Sequence, residues 1–132
     1  MTRSVPLVGV TATNTAARAA EGEILVPSGN VVTFTEMLWD RPGSGLTYRF
    51  RFVGPDIVLP EGELDYELVE RDMAHLCQDF ASPRLSQTGP KPGQIVISIA
   101  DRATEFGEPN PDATELFEAY SVQDNTCTWE PF

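Results

Sequence analysis

The chain has 132 residues, 41% of them hydrophobic, with two Trp, three Tyr and seven Phe; that is one domain's length, with enough apolar mass for a core. The formal net charge is −11, and beyond residue 20 seven Lys or Arg face all twenty acids, a balance of −13 with Lys91 the single lysine. Such a surface repels phosphates and anionic headgroups, so nucleic acid and membrane-surface binding are disfavoured, and a basic protein surface or a cation is favoured.

The same acidity also serves plain solubility. No run approaches the roughly 18 apolar residues that a membrane span needs, so no insertion is expected. The start, "MTRSVPLVGVTATNTAARAAEGE", has a basic residue near its beginning, a weakly apolar middle and a small-residue close. It reads as a degenerate secretory signal with cleavage near Ala20, or as a flexible arm over residues 1–22, leaving residues 23–132 as a single α+β domain.

"ILV" is a short strand candidate, "PSGN" a turn, and "VVTFTEMLW" a β-branched and aromatic run. The turn formers of "DRPGSG" separate it from "LTYRFRFV", where Leu46, Tyr48, Phe50 and Phe52 alternate with Thr47, Arg49 and Arg51. Strict alternation predicts a strand, and the two runs read as a β-hairpin with both arginines on its polar face, where acidic neighbours can meet them. "GPDIVLPEGELD" is a loop with an edge-strand candidate at residues 57–59.

A helix follows. Asp65 is its expected N-cap, and Glu67, Glu70 and Asp72 favour its early turns. Val69, Met73, Leu76, Cys77 and Phe80 recur at helical spacing and form one apolar stripe over about four turns. Ser82-Pro83 is expected to end it, because proline disfavours helix in the residue before it.

"SQTGPKPG" is a turn cluster. "QIVISIA" is apolar on both faces and reads as a central strand. "DRATEFGEPNPD" is loop. "ATELFEAYSV" fits helix or strand, and the following "QDNT" and "CTW" tip it to a C-terminal hairpin. The expected fold is α+β: an antiparallel sheet of about five strands with one main helix on one face and a single disulfide.

"DMAHLCQDF" holds the only histidine, His75, two residues from Cys77. On a helix such residues point about 200° apart, so they share neither a ligand nor a proton. Cys77 lies on the apolar stripe and His75 faces away from it. If "CTW" is a strand, Cys127 and Trp129 share its buried face, which places Cys77 and Cys127 to join. Two buried free thiols are the alternative, and metal or redox chemistry a third.

With two Cys and one His, a zinc site would need two carboxylates. Glu108, Asn110 and Asp112 are oxygen-rich, but the calcium loop D-x-[DN]-x-[DN]-G is absent. G-x-S-x-G, a phosphate-binding glycine loop and H-E-x-x-H are absent too, so no catalytic residue, metal or cofactor is assigned. Loop carboxylates from residues 56–65 and 101–115 leave one enzymatic alternative, a small hydrolase with an acid and a base. Trp39 at a strand end, Trp129 and Phe132 near the terminus, and Glu105 and Glu108 in the acidic loop are the candidate partner-binding residues. For the two terminal aromatics, docking into the chain's own core is the plainer reading.

"MAHLCQDFASPRL", "PGQIVISIADR", "EFGEPNPDATELFEAY" and "CTWEPF" resemble a family of small, uncharacterised, exported alphaproteobacterial proteins. Its pattern has a signal sequence and a "VPSG" stretch, then "LWD" before an "RFRF" strand. The "DMAHLC" helix, an "ISxADRxxxFG" strand and a "CxWExF" tail complete it. The likeness covers about residues 24 to 132. It implies export and paired cysteines, and no activity. The expected function is thus a non-enzymatic periplasmic or secreted acidic binding or accessory protein, with a basic protein surface as partner.

Overall fold

The computed structural model describes residues 22–40, 45–85 and 89–131; the N-terminal arm and Phe132 lie outside them. Among the described residues, six strands form one sheet: β1 (Glu23–Leu25), β2 (Val31–Asp40), β3 (Thr47–Val53), β4 (Gln94–Ala100), β5 (Glu115–Gln123) and β6 (Thr126–Glu130). Their spatial order follows the chain from β1 to β6. Between β3 and β4 lies the helical segment. It comprises α1 (Tyr66–His75), a π-helical stretch (Leu76–Ala81) and the single turn α2 (Ser82–Arg84).

The alternation in β3 does what it predicts. Tyr48, Phe50 and Phe52 point to the helix and are at most 2% exposed, while Arg49 and Arg51 occupy the opposite face. Ile95, Ile97 and Ile99 of β4 continue the buried face, each 0% exposed. Val69, Met73, Leu76, Cys77 and Phe80 cover it from above. The ring of Phe80 lies 4.9 Å from that of Phe34 and 5.4 Å from that of Phe52, so the helix end is keyed into the aromatic half of the core.

The expected sheet was antiparallel with about five strands; the sheet found is mixed, because β3 and β4 run parallel with Tyr48 opposite Ile95. The physical reason is the connection. Parallel neighbours need a crossover of about a dozen residues or more, and the helical segment between Val53 and Gln94 is that crossover. The other strand pairs are antiparallel, including the expected hairpins of β2 with β3 and β5 with β6. Asp124 and Asn125, at φ 53° and 64°, close the second hairpin as a two-residue turn of the type that matches strand twist.

Two local expectations are also corrected. Residues 57–59 form no strand, only a single bridge of Val58 with Leu64, because Ile57 turns inward and is 3% exposed. Ser82-Pro83 does not end the helix, which runs to Arg84. The turn widens before the proline, with the Ser82 amide reaching the Cys77 carbonyl five residues back. Pro83 then opens a new helical turn, where its missing N–H is not required.

Asp65 caps α1 as expected, its Oδ1 accepting from the Leu68 amide at 3.2 Å. Asp72 is a surprise. It is 1% exposed and accepts from both the amide (2.9 Å) and the hydroxyl (2.6 Å) of Ser28, so the "PSGN" turn is buttoned to the middle of α1. The disulfide Cys77–Cys127 joins the helical segment to β6, with 6.3 Å between the Cα atoms. Beside it Gln78 Nε2 donates to the Asn125 carbonyl (2.7 Å), its Oε1 accepts from the Cys127 amide (2.9 Å), and the Ser82 hydroxyl also reaches Asn125 (3.1 Å).

Candidate functional site

Chemistry-bearing side chains gather at two places, one on each face of the sheet. The first is built by a bulge. Val32 and Phe34 point to the core, and simple alternation would send Glu36 and Asp40 after them. The register slips between Phe34 and Glu36 instead, so Glu36 lies opposite Arg51 and Asp40 opposite Thr47 on the polar face.

Arg51 is 8% exposed. Its Nη1 donates to Glu36, and its Nη2 donates to Thr104 Oγ1 (2.8 Å) and lies 3.7 Å from Glu115. Arg49 Nε meets Asp40 at 3.3 Å. Phe106 spans both guanidiniums, its ring centre 5.4 Å from Arg51 Cζ and 5.8 Å from Arg49 Cζ. A cavity of about 200 Å³ lies here, with Glu36, Arg51, Thr104 and Glu115 in its walls. Both carboxylates share one cation, so the arrangement pins the 101–114 loop and offers neither an unengaged nucleophile nor an unengaged base. The base of that loop is closed by Asp101, whose Oδ1 accepts from the Thr114 amide at 3.0 Å. Burial works against ionisation of Asp101, but hydrogen bonds from Arg102 and Thr114 and the Arg102 charge outweigh it and hold the carboxyl below the usual range.

The second place is a groove of about 230 Å³ between α1 and the β5–β6 hairpin, lined by Glu70, Ala74, Glu118, Tyr120 and Trp129. Tyr120 stands opposite Trp129 across the strand pair, and Glu118 is two residues before Tyr120 on the same face. The indole N–H of Trp129 donates to Glu118 Oε1. Burial pushes the Tyr120 phenol well above its ordinary value, and the charges of Glu118 and Glu70 push it further.

The sequence candidates fall in different places. Trp39 and Trp129 sit on one cross-sheet row, Trp39–Tyr48–Ile95–Tyr120–Trp129. Four strand spacings, about 19 Å, separate them, so they form no common patch. Both are exposed, at 64% and 57%. Trp129 is therefore not docked into the core as its plainer reading holds. Glu105 and Glu108 lie on the loop that covers the arginine face. Phe132 lies outside the described residues.

His75 pairs with Asp79 at 3.0 Å, away from Cys77 as its spacing requires. Asn110 accepts from the Asp112 amide at 3.1 Å, a local turn, and among the described residues no three metal-binding side chains converge. The walls around Glu115 come from β2, β3, the end of β4 and the 101–114 loop, not from residues 56–65. Sequence reasoning missed the groove as a unit. The only available signals were Glu118 and Tyr120 at a two-residue spacing, hidden while "ATELFEAYSV" fitted helix as well as strand.

Among the described residues no helix is long and apolar enough to cross a membrane. No curated protein and no solved structure matches the chain. A family model does, that of the family of unknown function DUF6497, over residues 8–132. With nearly its whole length matched, the chain belongs to the DUF6497 family.

Proposed function

We propose that the chain is a non-enzymatic binding or accessory module of the periplasm or the secreted space, and that its partner presents a basic protein surface. The observation that carries the reading is how the charge is distributed. Arg49 and Arg51 are paired with acids on the covered face of the sheet, and the exposed Arg102 is paired with Asp101, so these cations are already matched while acids outnumber bases over the chain. Trp39, Phe106, Phe117 and Trp129 stand half or more exposed, or close to it, and are the kind of aromatic anchor that interfaces use. A disulfide that staples a small domain suits an oxidising compartment, as do the signal-like start and the resemblance to exported alphaproteobacterial proteins.

The experiment is capture of partners from the native periplasmic or secreted fraction, followed by association kinetics at rising salt. Screening acts beyond roughly 8 Å at physiological strength. The association rate is expected to fall steeply while dissociation changes little. Salt-independent association would leave the acidity as a solubility device and overturn the reading.

A further inference from the structure

We infer that the groove between α1 and the β5–β6 hairpin binds a primary alkylammonium group, presented as a lysine side chain of the partner. The inference rests on the proposed function and names the contact by which it works.

The groove's five lining residues carry two carboxylates and no cation. Glu70 and Ala74 lie one turn apart on one face of α1, and the small Ala74 side chain leaves the space open. Tyr120 is 3% exposed as a residue and lines the groove between the two carboxylate-bearing walls. A phenolic oxygen accepts as well as donates, so a donor that enters the groove can bond it. Glu118 gives one oxygen to the Trp129 indole, which holds the ring in place and leaves the second oxygen for a ligand. The volume, about 230 Å³, falls below the roughly 300 Å³ at which pockets for drug-sized ligands begin and suits one extended side chain.

The chemistry selects among cations. An ammonium has three N–H donors, matching the Tyr120 oxygen and the carboxylates of Glu118 and Glu70. A quaternary ammonium has none and cannot donate to the Tyr120 oxygen. A guanidinium seeks a two-oxygen carboxylate, and Glu118 is half engaged by Trp129. The aliphatic stem of lysine lies along the exposed indole of Trp129 while its head reaches inward. Since Trp129, Glu70 and Ala74 open to solvent, the site takes a side chain projecting from a surface, whose flanking backbone covers the indole.

The test follows the indole N–H signal of Trp129 by nuclear magnetic resonance in the full chain, at constant ionic strength. The probe is a blocked Gly-Lys-Gly peptide, compared with its norleucine and trimethyl-lysine counterparts and with free butylammonium. A saturable shift in the millimolar range is expected for the lysine peptide, with none for norleucine. Trimethyl-lysine is expected to bind at least fivefold more weakly, and butylammonium at least threefold. Tyr120→Phe should weaken the lysine peptide about fivefold without lowering the melting temperature, and Glu70→Gln with Glu118→Gln at least tenfold. Equal binding by the double variant or by the norleucine peptide overturns the site. Trimethyl-lysine binding as well as lysine overturns the hydrogen-bonding assignment, and butylammonium matching the peptide overturns a protein source. A captured partner with salt-steered association but no peptide binding would sink the groove and leave the proposed function standing. Peptide binding beside salt-independent partner association would do the reverse.

Discussion

Single side chains carry sharp consequences where the core leaves no slack. A Cβ at Gly54 would stand 2.9 Å from Val32, 3.1 Å from Ile57 and 3.2 Å from Ile99, three buried side chains. Gly54→Ala is therefore expected to cost about 1–3 kcal/mol by overpacking, read as a lower denaturant midpoint with an unchanged slope. Asp72→Ala is expected to cost about 1–3 kcal/mol as well, because it strips the acceptor from the Ser28 amide and hydroxyl. Adding Ser28→Ala should recover part of that loss, since the pair is one interaction; full additivity in a double-mutant cycle would contradict it. Neither residue stood out in the sequence. Gly54 read as part of a loop, and Asp72 as one more acid in an early helical turn, because Ser28 lies 44 residues away.

At the level of elements, the helical segment and the β5–β6 hairpin are held by the disulfide and by Gln78 and Ser82 on the Asn125 turn. Their stabilisation should separate. Removing the crosslink frees a loop of sequence separation 50 in the unfolded chain, and is expected to cost roughly 4 kcal/mol on chain-entropy grounds. Thiol counting on the denatured, unreduced protein should then find no free cysteine; two thiols per chain would refute the bond in solution. The 101–114 loop answers to pH instead. Asp101 has its carboxyl lowered in the fold, so its contribution is present above the ordinary value of 3.8 and is lost as pH falls through the lower folded value. The protection of the Thr114 amide relative to its intrinsic exchange rate should hold above the ordinary carboxyl range and fall as pH drops below it; Asp101→Asn should flatten that profile.

Over the whole molecule, much was written in local patterns. The alternation of "LTYRFRFV" and the β-branched run of "QIVISIA" are properties of neighbouring residues, and they built β3 and β4 with the expected faces inward. Asp65 and the apolar stripe likewise specified α1. Arg49 and Arg51 met acids because alternation alone put them on the polar face, although which acids they met depended on a bulge at Thr35 that no local signal announces.

The strand patterns, the helix cap and the inward direction of both cysteines were legible because each depends on contacts within a few residues. The parallel pairing of β3 with β4 was not, since it depends on which sheet edge the chain rejoins after its helical crossover. Nor was the groove, which brings Glu70 of α1 to Glu118, Tyr120 and Trp129 of the far hairpin. Such pairings are chosen by the burial of a shared core, a sum over the whole chain that no short stretch of sequence contains.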